Sequence, residues 1–232
     1  MPPAMPKVAT VPDSSFRPAG LYAITPDEPD EARLLGLAKS ALVGGARLLQ
    51  YRDKTGDAGR RLRLALVLRG LCGQFGAAFI VNDDVQLALR VAADGVHLGG
   101  GDGDLAAARA ALPAGSLLGA SCYADFDRAR AAAAAGADYV AFGAVHPSPT
   151  KPLAVPAPLS LFSRCRAELG VPCCAIGGIA LANAAPIIAA GADMLAVISD
   201  LFAAPDVSAR AHAYCQLFEE PADDDFPQPA TV

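Results

Sequence analysis

Tryptophan is absent from the 232 residues, and aromatic side chains make up only 6% of them. The chain therefore lacks the stacking surface that single-stranded nucleic acid uses. Positive charge is scarce as well: 19 Lys and Arg stand against 24 Asp and Glu, a net charge of −5. With no global positive field for nucleic acid or an anionic membrane, any anionic ligand must be held by local groups. No apolar run reaches the ~18 residues of a transmembrane helix. The Ala-rich stretch from Ala129 to Ala137 is interrupted by Arg130 and Gly136. The start, MPPAMPKVATVPDSSFRPAG, is proline-rich without an apolar centre, so no signal peptide is expected there. Cys72, Cys122, Cys165, Cys173, Cys174 and Cys215 show neither CxxC nor Cys/His zinc spacing, and reduced thiols of a cytoplasmic protein are expected. Cys173 and Cys174 are adjacent in an apolar run, where alternation sends them to opposite faces.

Apolar residues, by contrast, supply 53% of the chain, ample for one sizeable core. Residues 1–18 are Pro-rich and residues 219–232 are acidic and Pro-rich; both read as disordered tails. Between them, 19–218 is about the size of a small single barrel. Eight short apolar runs begin at Leu21, Arg47, Ala77, Gly95, Leu117, Tyr139, Cys173 and Met194, alternating with helical patterns. Such alternation is that of a parallel sheet with helical crossovers. GGARLLQ, AADGVHLG, AGADYVAFG and AGADMLAVIS each place a glycine just before a strand, where it would cap the preceding helix. No G-x-G-x-x-G follows the first strand, which disfavours a dinucleotide-binding sheet. The expected fold is a single α/β (β/α)8 TIM barrel.

Active sites of such barrels lie at the C-terminal strand ends. Strand 2 runs out as Gln50-Tyr51-Arg52-Asp53-Lys54, and alternation places Gln50, Arg52 and Lys54 on one face toward the mouth. Unpaired cations buried there would call for an anionic partner. Strand 3 ends Asn82-Asp83-Asp84, and Asp102 follows strand 4. These are the hard oxygen donors Mg2+ accepts beside phosphates. Asp84 and Asp104 precede helical patterns and are expected to be N-caps, leaving Asp83 and Asp102 as metal ligands. His97, at the end of strand 4, reads as structural. The connection after strand 6 carries Ser148, Thr150 and Lys151 among prolines, suited to clamping a phosphate. After strands 7 and 8, Gly177-Gly178 and Ile198-Ser199 occupy the recurrent phosphate position of barrels.

Taken together and in this order, LYAIT, QYRDK, VNDD, DGVHLG..D, GAS, GADYVAFG..HPSPTK, AIGGI and AVIS resemble the thiamine phosphate synthase family over about 200 residues. The resemblance implies a transferase that joins 4-amino-2-methyl-5-(diphosphooxymethyl)pyrimidine to a phosphorylated hydroxyethylthiazole and releases diphosphate. By motif, Gln50, Arg52, Lys54, Asn82, Ser121 and Lys151 would bind the pyrimidine diphosphate. Arg52, Ser121 and Lys151 would also be its catalytic groups. Ser148, Thr150, Gly178, Ile198 and Ser199 would hold the thiazole phosphate, and Asp83 and Asp102 would hold Mg2+. Gly100 stands where the family often has Gln, His146 where it usually has an aromatic residue, and Ser148 where Thr is common. The implied reaction is dissociative and needs electrostatic stabilisation of the leaving group more than a nucleophile. Small phosphorylated substrates are the expected partners, with no nucleic acid and no membrane; a homo-oligomer stays open. The alternatives are a thiazole tautomerase and a non-catalytic phosphate-binding barrel.

Overall fold

A computed structural model describes residues 16–147 and 156–219, and in it eight parallel strands close into a barrel in sequence order. The strands are β1 (Gly20–Ile24), β2 (Leu48–Tyr51), β3 (Ala78–Asn82), β4 (Gly95–Leu98), β5 (Leu117–Tyr123), β6 (Tyr139–Gly143), β7 (Cys173–Ile176) and β8 (Met194–Val197). β8 closes on β1 with Gly20 opposite Met194. Around them run α1 (Glu31–Val43), α2 (Ala58–Phe75), α3 (Val85–Arg90), α4 (Leu105–Ala111), α5 (Phe126–Ala134), α6 (Ser160–Glu168), α7 (Leu181–Ala189), α8 (Ser199–Phe202) and α9 (Val207–Gln216). The expected tails, 1–18 and 219–232, lie almost wholly outside the described residues. Of them, Phe16 packs against the barrel's inner cluster, with the Arg47 guanidinium over its ring.

Strand alternation divides the core in two. Leu21, Leu49, Phe79, Val96, Leu118, Val140, Cys173 and Leu195 point outward against the helices, while Tyr22, Leu48, Ile80, Tyr139, Cys174 and Met194 fill the barrel. Cys173 and Cys174 thus sit on opposite faces of β7, and all six cysteines are free thiols. Among the described residues no helix is long and apolar enough to cross a membrane.

Much of the acidic excess has local work. Asp30, Asp57, Asp84, Asp104, Asp125 and Asp206 each cap a helix by accepting the N–H three residues on. The expected caps Asp84 and Asp104 are among them. Gly45, Gly136 and Gly191 hold the left-handed turns expected from three of the four echoes. The fourth differs. In AADGVHLG the left-handed residue is Ala92, and Gly95 lies within β4, where a Cβ would stand 2.3 Å from the Leu117 carbonyl oxygen. The aspartates of these echoes do a common job: Asp94, Asp138 and Asp193 accept the Phe79, Leu118 and Cys173 N–H groups of the preceding strand. They tie strand to strand at the end of the barrel opposite the mouth, where stability is built.

Candidate active site at the barrel mouth

Four strand ends build the acidic and cationic side of the mouth. Thr25, fully buried just past β1, accepts the Arg52 N–H at 2.9 Å and donates to the Arg52 carbonyl at 3.2 Å, fixing the chain as it leaves β2. Asp53 is engaged locally: it accepts from Tyr51 Oη (2.8 Å) and the Thr55 N–H (2.8 Å) and pairs with Arg60. Burial would raise its carboxyl, but these partners hold it below the usual carboxylate range. That brace leaves Arg52 and Lys54 to project past the end of β2.

The expectation of unpaired buried cations is not met. Arg52 Nη1 contacts both Asp27 oxygens, at 3.0 and 2.9 Å, and Lys54 Nζ lies 2.6 Å from Asp83 Oδ2 with about half its side chain exposed. Strand 2 ends at Tyr51, so both residues reach solvent and find carboxylates there. Gln50 differs from both. It lies inside the barrel, donating from Nε2 to Tyr22 Oη at 2.6 Å.

Asp83, at φ +62°, takes the left-handed conformation directly after β3, anchored by its N–H on the His97 carbonyl (2.9 Å). This kink turns its carboxylate onto Lys54 Nζ and Asn82 Nδ2, both 2.6 Å away. Asp102 is held by the Gly99 N–H at 3.0 Å. The two carboxyl groups lie within hydrogen-bonding reach, and their acidities diverge. Burial would raise Asp83, but Lys54, Asp102 and Asn82 hold it low. Burial and the adjacent Asp83 push Asp102 above the ordinary value. A cavity of about 530 Å³ opens over Lys54, Asn82, Asp83 and Asp102, and Arg61 of α2 also lines it. Arg61 pairs with Asp84 at 2.9 Å and keeps a buried Nε with no partner among the described residues. Nothing in the spacing of α2 singled it out from its basic neighbours.

Ser121 comes from β5 and bonds His97 Nε2 at 2.9 Å. Burial drives the His97 imidazole down to about 4 despite the nearby Asp83, so the ring is neutral near pH 7. Beside it, the place a side chain at Gly100 would use is taken: a Cβ there would stand 2.9 Å from the Tyr123 ring and 3.0 Å from Arg128 Nη2. The Gly100 N–H donates to Tyr123 Oη (3.1 Å), and Arg128 covers the same ring.

Across the mouth, Gly177 and Gly178 have φ of +93° and +66°. A Cβ on Gly178 would stand 2.6 Å from the carbonyl oxygens of both His146 and Pro147. The Val145 and His146 N–H groups donate to Ile176 and Gly177 at 3.0 and 3.1 Å. Residues Val145 to Pro147, the start of the connection after β6, are thus seated directly on the glycine turn after β7. Ile198 follows β8 and faces the inner cluster, and Ser199 opens α8. Ser148, Thr150 and Lys151 lie outside the described residues.

A sequence-family model described as thiamine monophosphate synthase matches residues 21–201, from the first strand into α8. The chain belongs to that family. It is 61% identical over 202 residues to a thiamine-phosphate synthase of Chromobacterium violaceum, covering 87% of this chain and 97% of that one. It is 58% identical over 209 residues to that of Aromatoleum aromaticum, covering 90% and 100%. Among solved structures, a thiamine phosphate pyrophosphorylase from Pyrococcus furiosus superposes with a TM-score of 0.78 at 32% identity, covering 87% of this chain and 96% of that one. The family match runs through every strand end just described.

Proposed function

We propose that the chain condenses 4-amino-2-methyl-5-(diphosphooxymethyl)pyrimidine with 4-methyl-5-(2-phosphooxyethyl)thiazole, giving thiamine phosphate and diphosphate, a transferase step of thiamine biosynthesis. The observation that carries this is the Lys54–Asp83–Asp102 cluster at three successive strand ends, in a barrel of this family. Arg52, Lys54, Asn82 and Lys151 take the diphosphate, with Gln50 and Ser121 on the pyrimidine side. Ser148, Thr150, Gly178, Ile198 and Ser199 take the thiazole phosphate.

The donor set fits Mg2+. Asp83 and Asp102 are forced together at a cost that a hard dication between them removes, and Mg2+ completes its shell with water and substrate phosphates, so two protein carboxylates suffice. When bound, the ion neutralises charge building on the departing diphosphate. The chain's own cations do the same from the other side: Lys54 exchanges Asp83 for phosphate oxygens, and Arg52 exchanges Asp27. The pyrimidine methylene left behind is cationic and is attacked by the thiazole nitrogen, so no side chain need act as nucleophile. The free thiols are in keeping with a cytoplasmic site for this reaction.

The test is incubation of both substrates with Mg2+ and measurement of released diphosphate together with thiamine phosphate. Equimolar release of the two supports the reading. Conversion of the thiazole alone without diphosphate would replace it with a tautomerase, and no turnover would leave a binding protein.

A further inference from the structure

A single chain of hydrogen bonds crosses the barrel interior, from Gln50 on β2 to Ser121 on β5. Gln50 Nε2 donates to Tyr22 Oη (2.6 Å), Tyr22 Oη meets Tyr139 Oη (2.9 Å), Tyr139 Oη meets His97 Nδ1 (3.1 Å), and His97 Nε2 meets Ser121 Oγ (2.9 Å). Five strands, β2, β1, β6, β4 and β5, each contribute one member. Tyr22, Tyr139 and His97 are buried, so every proton must find an acceptor within the chain. Gly119 makes the crossing sterically feasible: a Cβ there would stand 2.3 Å from Tyr139 Oη and 2.5 Å from His97 Nδ1.

The proton count fixes a direction. Tyr22 has two polar partners among the described residues, Gln50 and Tyr139. Since it accepts from Gln50, its own proton goes to Tyr139. Tyr139 then gives its proton to His97 Nδ1, which must be unprotonated there. The imidazole therefore carries its hydrogen on Nε2 and donates it to Ser121 Oγ, leaving the Ser121 hydroxyl hydrogen unspent.

We propose that His97 is a positioning residue that, by holding the Nε2–H tautomer, makes Ser121 a hydrogen-bond donor toward the mouth and ties it to Gln50 as one unit on the pyrimidine-diphosphate side. This rests on the substrate assignment of the previous section. The chain presents the Gln50 carbonyl oxygen as an acceptor and the Ser121 hydroxyl as a donor, so a ligand there must offer the complementary pair, as a diphosphorylated aminopyrimidine does. Were the Gln50 amide reversed, the polarity would run backward and Ser121 would be left only as an acceptor, unable to bond an anion.

Two independent measurements test it. The full ligand-free chain, labelled with 15N-histidine, is examined by NMR at neutral pH, the His97 signals being those that move in Ser121→Ala. A neutral ring protonated on Nε2 is expected; protonation on Nδ1 overturns the polarity. This readout stands even if wild-type protein releases no diphosphate, in which case it is the substrate assignment that fails. For kinetics, Gln mimics the Nε2 side of histidine and Asn the Nδ1 side. His97→Asn should raise KM for the pyrimidine diphosphate about tenfold, the worth of one hydrogen bond to a charged or polar ligand. KM for the thiazole should change less than about twofold, and His97→Gln should restore most of the loss. In a Ser121→Ala background His97→Asn should add nothing further. Equal effects of Asn and Gln, equal effects on both substrates, or full additivity with Ser121→Ala would reduce His97 to a packing residue.

Discussion

Lys54 Nζ sits 2.6 Å from Asp83 Oδ2, and the same carboxylate touches Asp102 and Asn82, so one aspartate from β3 gathers groups carried by three strand ends. The contact between Asp83 and Asp102 is unfavourable while both are charged, which is why one acidity falls and the other rises. A divalent cation is the natural third member.

Activity should accordingly require a divalent metal. Asp83→Ala or Asp102→Ala should cut turnover by roughly 100-fold or more, as loss of a group stabilising developing charge does. Thermal unfolding should stay cooperative, since neither carboxylate is packed in the core. Diphosphate release in excess chelator, compared with release after Mg2+ is restored, checks this; undiminished rates in chelator would remove the metal from the mechanism.

Gly178 should prove as important for seating a loop as for clearing space for phosphate. Its positive φ and the two carbonyl oxygens 2.6 Å from any Cβ mean that Gly178→Ala must displace His146–Pro147. The strained conformation alone costs about 1–3 kcal/mol. KM for the thiazole phosphate should rise roughly tenfold or more, with KM for the pyrimidine diphosphate affected less. Steady-state kinetics varying each substrate separately would decide; equal rises in both constants would place the thiazole phosphate elsewhere.

Lys151 follows the seated segment in sequence. If it neutralises the leaving diphosphate, its contact strengthens as the bond breaks, and kcat should suffer more than KM. Lys151→Ala should lower kcat by roughly 100-fold or more. Lys151→Arg should recover only part, because a planar fork does not replace a compact point charge. An unchanged kcat in Lys151→Ala would pass this role to Arg52 or Lys54.

The acid limb of stability should depend on Asp200. Its Oδ2 accepts from Arg210 Nη1 (2.6 Å), Tyr214 Oη (2.7 Å) and the Leu181 N–H (3.3 Å), joining α7, α8 and α9. Burial would raise this carboxyl, but these partners hold it below its ordinary value. A depressed folded-state pKa gives stabilisation that is present above the unfolded carboxylate value of about 3.9 and is lost as pH falls through the folded one. Asp200→Asn should lower Tm at neutral pH, at about 1–3 kcal/mol for a charged hydrogen-bonded group, and the gap to wild type should close below about pH 4. Tm measured against pH in both proteins checks the sign; a gap that widens toward acid would refute it.

Element order and strand placement were legible because alternation is a local property: each strand starts within one residue of its apolar run. The N-caps Asp84 and Asp104 were legible for the same reason, since a cap answers to the N–H groups three residues away. The Asp83–Asp102 site could be suspected because two acidic strand ends follow one another in a parallel barrel. Gln50 takes the inward face that alternation gives it, but its depth inside the barrel, against Tyr22, is not encoded in that alternation. The cations Arg52 and Lys54 were expected without partners because Asp27 and Asp83 lie 25 and 29 residues from them.

The sequence by itself therefore determined the barrel, its family, and the order in which chemical groups arrive at its mouth, because periodicity, capping and motif spacing are read along the chain. Tertiary structure alone decided which of those groups meet. Tyr22 and Tyr139 stand 117 residues apart, and only barrel closure, with room left by Gly119, brings them into one hydrogen-bonded chain with His97 and Ser121. The proton on a buried imidazole is set by neighbours from other strands, and no local pattern encodes it.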